Sequence, residues 1–378
     1  MILKFGAKNF YSFKEGFEVD LTLNEKISEG KGFTNVLAIK GANASGKTNV
    51  LKLLSFISSF AKNSFSEVKP NEKILISSYF ENDDPIEMFI IFLENGIEYK
   101  YELSLTQESV IYERFYKKEK RWSKIIWREK NKIDAISDFE EIKSIKVRPN
   151  VSFLSTALQH DLQSIKPLNN LFELIMTNVY ALGRHDGAIN YQSASKFYYE
   201  NKQIFKFVKE ILKKSDTGVD DIDILKQEDK ETGEISYFPL FYFIINKERK
   251  TLFFHDQSSG TKSLFTQLGL YKIALDIGKP LVLDEFDINL HPDLLPMLVE
   301  FFENDKININ NAQLIFTTHH VDIMNKLGKY KVVVVNKEEN ESFLYRLDEI
   351  PGDLLRNDRP ISPVYNAGKI GGKPKIAI

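Results

Sequence analysis

Short apolar runs at residues 3–10, 17–23 and 36–39 read as strands that lead into a glycine-rich turn. Beyond the turn, Val50, Leu51, Leu54, Ile57 and Phe60 recur at helical spacing, so a helix with one apolar face follows from Thr48. Residues 86–127 alternate instead, as in Tyr99, Tyr101, Leu103 and Leu105, and Asn95-Gly96 supplies the positive φ values of a tight hairpin turn. This is an antiparallel block. Residues 160–214 carry amphipathic helical patterns, notably 168–179 and 197–212, and Lys213 to Gly218 reads as a helix exit.

After a further hairpin over 236–254 come a glycine loop at 257–261, a helix to about Ile277, a buried strand at 280–283, a helix over 291–304 and a strand at 314–317. Helix and strand alternating in this way is the pattern of a parallel α/β core. The predicted class is therefore α/β. One head is split by sequence into residues 1–150 with the antiparallel subdomain, a helical lobe over 151–235, the resumed head over 236–350, and a tail over 351–378 that docks or stays flexible.

Composition adds limits. The chain of 378 residues is 43% hydrophobic and 28% charged, ordinary globular material with room for two or three cores. A formal charge of -2 gives no global positive field for nucleic acid, so such a contact would need a local patch. There is no cysteine, which excludes disulfides and thiolate metal sites and fits a reducing compartment. Lys8, Lys14 and Glu15 interrupt any signal-like apolar core, and no apolar run is long enough to span a membrane, so the expectation is a cytoplasmic protein.

The chemistry sits at four places. Gly41-Ala42-Asn43-Ala44-Ser45-Gly46-Lys47-Thr48 fits G-x-x-x-x-G-K-[ST] between a strand and a helix, with Asn49 next in line. Backbone N–H groups and the helix N-terminus would cradle phosphates, Lys47 would reach the outer ones, and Thr48 would ligate magnesium, which calls for ATP and Mg2+. Leu281 to Leu283 then present Asp284 and Glu285 at the end of an apolar strand, where ligands collect in open α/β sheets. Asp284 suits the metal, and Glu285 suits a base that polarises water. Finally, Ser258 or Ser259 with Gly260 starts a helix with free N–H groups, a second anion site that would serve a neighbouring copy's nucleotide. His319, after the strand at 314–317, would touch the terminal phosphate or order water. A metal site on His319 and His320 is set aside because neighbouring side chains diverge at a strand end.

Other features read blandly. The basic stretch 117–130 with Trp122 and Trp127 is read as a hairpin with charges outward and tryptophans inward rather than as a nucleic-acid surface. Asp220 to Asp223 lacks calcium-loop spacing. Arg184-His185-Asp186 either contacts nucleotide or ends a strand.

Taken in order, the loop at 41–48, Ser258 to Thr261, Leu283-Asp284-Glu285, Asn289-Leu290-His291-Pro292 and Thr317-Thr318-His319 resemble the ABC-type head of SMC, RecF and OLD-like ATPases. The resemblance covers residues 1–60 and 250–330, and implies a Walker A loop, signature, Walker B strand, D-loop and switch histidine. Asn9 to Lys14, the Ser-Ser-Gly-Thr signature and the tail at 355–359 and 368–376 are further similar to AAA-15-type ATPases of bacterial phage-defence operons, including the AbiL abortive-infection group. That likeness implies a homodimerising ATPase that controls a separately encoded nuclease or toxin; the alternative is a RecF- or SMC-like DNA clamp. Ser259 and Thr261 depart from transporter signatures. The resemblance also implies a Q-loop glutamine at the metal, for which Gln159 is the candidate, and the lobe is too short for SMC-length coiled coils.

Overall fold

The computed structural model describes residues 1–28, 30–172, 175–185 and 190–374. The fold is mixed α/β, and it divides into two compact units. The first comprises Met1–Arg184, Val282–Phe286 and Gln313–Ile378; the second comprises His185–Leu281 and Asp287–Ala312.

In the first unit a six-stranded sheet runs in the order Glu341–Arg346, Val332–Glu338, Val36–Gly41, Leu314–Thr317, Leu281–Leu283, Met176–Thr177. Its centre, Val36–Gly41, is buried throughout and pairs in parallel with Leu314–Thr317 on one side and Val332–Glu338 on the other. Such a strand has no solvent face, which is why residues 36–39 are a continuous apolar run rather than an alternation. Gly41 ends this strand, and Lys47–Glu67 forms the helix that follows, two turns longer than the sequence pattern to Phe60 indicates. Val50, Leu51, Leu54, Ile57 and Phe60 are all buried on it, as their spacing requires.

The antiparallel block forms a seven-stranded sheet in the order Phe17–Asp20, Ile2–Lys8, Ile86–Glu94, Ile97–Leu105, Val110–Lys118, Trp122–Glu129, Lys132–Ala135. Asn95 and Gly96, at φ 51° and 76°, make the two-residue turn between Glu94 and Ile97. The basic hairpin differs from its sequence reading. Trp122 and Trp127 are half-buried beneath Lys118 and Lys124, whereas Arg128 is the buried side chain. Arg128 stands opposite Glu113 in the register, so two charges that read as surface residues pair inside the sheet.

The stretch 168–179 is likewise not one amphipathic helix. It holds a short helix at Lys166–Asn169 and strands at Met176–Thr177 and Val179–Tyr180. With the helix Phe153–Gln159, this segment belongs to the first unit, because it packs along the Lys47–Glu67 helix: the Ser58 and Ser55 hydroxyls donate to Phe172 O and Val179 O at 2.8 and 2.7 Å. The unit boundary thus falls after Arg184, later than the lobe start at 151 that the sequence pattern placed. The tail docks as far as it is described. Tyr365 is buried and donates to Gly372 O at 2.9 Å, and Gly372 N donates to Asn336 Oδ1 at 2.7 Å.

The second unit contains helices Tyr191–Glu200, Lys202–Lys214, Ser259–Ile277 and Leu295–Glu303 with a three-stranded sheet, Asp221–Glu228, Ile235–Ile245 and Glu248–Phe253. The pattern over 197–212 is broken at Asn201 into two helices. Tyr198 fixes its core: the hydroxyl donates to Phe265 O at 2.6 Å and accepts from Gly269 N at 3.0 Å. A Cβ at Gly269 would meet the Tyr198 ring at 2.6 Å, which explains a glycine inside a helix. Among the described residues no helix is long and apolar enough to cross a membrane.

Candidate functional site

The glycine-rich loop lies between the central strand and its helix, where the sequence pattern puts it. Asn43 and Ala44 are exposed at its crest, Ala44 takes a left-handed φ of 60°, and Gly46 lies at φ 109°. A side chain at Gly46 would also strike the hydroxyls of Ser12 and Ser342 at 2.8 Å. Those two serines brace the loop: Ser342 Oγ donates to Ser45 O and bonds Ser12 Oγ, both at 2.7 Å, and Asn49 Nδ2 donates to Ser12 Oγ at 2.9 Å. Lys47 Nζ donates to the loop's own carbonyls, Gly41 O and Ala42 O, both at 3.0 Å.

The strand end completes the site. Thr48 Oγ1 donates to Asp284 Oδ2 at 2.7 Å, across 236 positions of sequence. The other oxygen of Asp284 accepts from Thr317 Oγ1 at 2.6 Å, and Thr317 Oγ1 in turn accepts from Glu285 N at 2.7 Å. Asn178 brackets the same peptide, donating to Asp284 O at 3.0 Å and accepting from Asp284 N at 2.8 Å. Glu285 takes φ 48°, left-handed and uncommon for a residue with a side chain, and its carboxylate pairs with Arg184. Lys52, one helical turn after Thr48, has its ammonium pushed down by burial, against the opposing pull of Asp284.

These groups fit a nucleotide and a magnesium ion. The Ser45 hydroxyl is buried with no hydrogen-bond partner, as expected where a loop turns donors toward an anion. Lys47 already lies folded over the loop, and Thr48 with Asp284 offers the hard oxygen pair that magnesium prefers. Among the described residues, no group of three or more His, Asp or Glu could hold a metal by itself.

Not every expected residue arrives here. Gln159 is exposed at the end of Phe153–Gln159, and Ser155 of that short helix accepts from Phe65 N at 2.9 Å. Phe65 lies roughly 25 Å along the helix axis from Thr48 at 1.5 Å per residue, so Gln159 does not reach the Thr48–Asp284 pair. Asn178 and Arg184 hold the positions beside the strand end instead. His319 follows the strand Leu314–Thr317 with its side chain exposed, and its carbonyl accepts from Lys40 Nζ. In the second unit, Ser258 is the helix cap, accepting from Thr261 N at 3.2 Å, while Ser259 is the first helical residue. A Cβ at Gly260 would meet Asn289 O at 3.0 Å, so the signature-like loop and the segment after Asp287 pack together. Asp186, Lys375 and Ile376 lie outside the described residues.

Asn178 had no sequence signal, since it stands between two strands of two residues each. Lys52 did have one, its four-residue spacing from Thr48 on a helix.

Comparison with solved structures finds likeness to SMC head domains. One is a crystal structure of "the SmcHead bound to the C-winged helix domain of ScpA", with TM-score 0.51 and 13% identity, covering 92% of this chain and 97% of that one. Another is the "SMC head domain from Thermotoga maritima", with TM-score 0.43 and 15% identity over 91% and 98% of the two chains. A third, an Smc head with an extended coiled coil bound to the C-terminal domain of ScpA from Pyrococcus furiosus, gives 0.46 and 13% over 92% and 96%. The first of these supports the fold, an ABC-ATPase-type P-loop head with an antiparallel β subdomain and an inserted helical lobe. No curated protein matches the chain significantly. Residues 36–325 match the family profile described as "AAA domain, putative AbiEii toxin, Type IV TA system". With that profile spanning most of its length, and Lys47, Thr48 and Asp284 gathered at the end of one sheet, the chain belongs to this AAA-domain family.

Proposed function

We propose that this chain binds ATP with magnesium and hydrolyses it in sites completed when two heads pair, and that the nucleotide state controls a separately encoded effector nuclease or toxin in bacterial antiphage defence. The observation that carries the reading is the chain of contacts Thr48–Asp284–Thr317–Glu285, which ties the Thr48 hydroxyl and Asp284 carboxylate, the pair that would hold the metal, to the backbone N–H of Glu285. The nucleotide's phosphates would lie along the backbone of Gly41, Asn43, Ala44, Ser45 and Gly46, with Lys47 leaving the loop carbonyls for the outer phosphates. Thr48 and Asp284 would hold the magnesium ion, whose charge offsets that of the phosphate oxygens when bound. Glu285 would accept a proton from the attacking water and His319 would orient it. Ser258 caps the helix that Ser259 and Gly260 begin, and these residues would meet the nucleotide of a second copy. The family's description, which names a putative toxin of a type IV TA system, supports a place for the chain in a toxin system.

The mass of Glu285→Gln in solution, with and without ATP and magnesium, tests head pairing and base assignment together. The variant is expected to form an ATP-dependent dimer and to lose turnover. A protein that stays monomeric at saturating ATP, or hydrolyses at the parental rate, removes the assignment. Turnover of the parent that rises on adding duplex DNA favours the DNA-clamp function instead of effector control.

A further inference from the structure

Glu285 carries the water-activating role only if its carboxylate is available, and in this structure it is paired with Arg184. Arg184 ends the hairpin Val179–Tyr180 and Gly183–Arg184, in which Val179 stands opposite Arg184. That hairpin is fastened at several points. Ser55 Oγ, on the phosphate-loop helix, donates to Val179 O at 2.7 Å, Tyr11 OH donates to Ala181 O at 3.3 Å, and the adjacent Asn178 brackets the Asp284 peptide. The guanidinium side chain is 17% exposed and that of Glu285 is 42% exposed. The guanidinium is thus the more enclosed partner, and the carboxylate the more exposed one.

We propose that Arg184 changes partners: it holds the Glu285 carboxylate in the nucleotide-free head and moves to the terminal phosphate of bound ATP, so that release of Glu285 depends on a third phosphate. The proposal rests on the reading of Glu285 as the base. Its physical basis is that a guanidinium is always charged and presents a planar fork of donors that suits carboxylate and phosphate alike. A half-exposed ion pair is held weakly, and a terminal phosphate carries more negative charge and more acceptor oxygens than a carboxylate, so the exchange is downhill when ATP arrives. Proximity is given by the Thr48–Asp284 bond, which places the residue before Glu285 on the first helical turn after the loop. Lys47, drawn back on Gly41 and Ala42, is the cation of the loop itself; Arg184 approaches from the hairpin. ADP lacks the group that Arg184 would bind. Arg184 thus acts as a positioning residue for Glu285 and as the residue that distinguishes ATP from ADP.

The test is equilibrium binding of magnesium complexes of ADP and of the β,γ-imido analogue of ATP to the full chain, which involves no turnover. Arg184→Ala is expected to weaken the analogue by about tenfold or more while ADP changes by less than about threefold, the range of a lost charge-assisted contact. Arg184→Lys should restore part of the difference, because it keeps the charge without the fork. Equal changes for the two nucleotides, or no change, overturn the proposal. Glu285→Gln should bind the analogue more tightly than the parent, since the competing carboxylate charge is gone; unchanged or weaker binding also overturns it. A separate turnover assay of Glu285→Gln isolates the underlying reading. Hydrolysis at the parental rate would remove Glu285 as the base and leave the ATP-over-ADP discrimination by Arg184 standing. If Arg184→Ala does not fold, Arg184→Gln and Arg184→Lys carry the same comparison.

Discussion

Thr317 does the most with the fewest atoms. One hydroxyl donates to Asp284 and accepts from the N–H of Glu285, so it fixes the Asp284 carboxylate and the left-handed backbone of the residue after it. Thr317→Val keeps the shape and deletes both bonds, leaving a buried acceptor and a strained N–H without that partner. We expect a loss of about 1–3 kcal/mol in stability, and a fall in kcat several times larger than any change in KM, because the geometry of Asp284 and Glu285 matters to the reaction more than to nucleotide affinity. Denaturant unfolding and steady-state ATPase assays read these two quantities, and parental values in both would dismiss the role of the hydroxyl. Thr317 belongs to a motif that the sequence displays; its bonds to positions 284 and 285 do not follow from the motif.

At the scale of elements, the antiparallel sheet and the helix Phe153–Gln159 are joined through Glu113. This carboxylate is fully buried, and it accepts from Tyr101 OH at 2.8 Å, Ser152 Oγ at 2.5 Å and Phe153 N at 2.9 Å, with Arg128 at 3.6 Å. Burial pushes its pKa up, against the pull of Arg128 and of those donors. Glu113→Gln leaves the Arg128 charge buried without its counterion and should destabilise the protein by about 3–5 kcal/mol. Ser152→Ala removes the cap of the short helix, whose hydroxyl also accepts from Leu154 N, and should cost only about 0.5–2 kcal/mol. Urea midpoints of the two variants compare them directly, and a Glu113→Gln protein as stable as the parent would show the pair to be dispensable. Local patterns predicted the Asn95-Gly96 turn, the strand Leu314–Thr317 and the end of the helix Ser259–Ile277. They failed for Arg128 because a charged residue among lysines and glutamates reads as a solvent face, and only cross-strand register reveals its partner. They failed for 168–179 because apolar residues lining one helix at short range mimic helical spacing without forming a helix.

For the whole molecule, nucleotide binding and folding are linked. ATP with magnesium at about a hundred times its Kd should stabilise the unit that carries the phosphate loop by about 2.7 kcal/mol, visible as a rise in the thermal midpoint. Chelating magnesium should shrink the rise, and Lys47→Ala should abolish it; a Lys47→Ala protein that shifts as far as the parent would contradict the placement of the phosphates. This unit is assembled from three separate stretches of chain, 1–184, 282–286 and 313–378. The strand, glycine-rich loop and helix around Gly41 to Thr48 were legible in the sequence by itself, because each depends mainly on neighbours in the chain. The acidic strand end was legible for the same reason. The pairs Thr48–Asp284, Asp284–Thr317 and Arg184–Glu285, and the exclusion of Gln159 from them, were decided by the tertiary structure, since each depends on which strands lie side by side, and sheet order is set by burying apolar faces that many sequence patterns satisfy equally well.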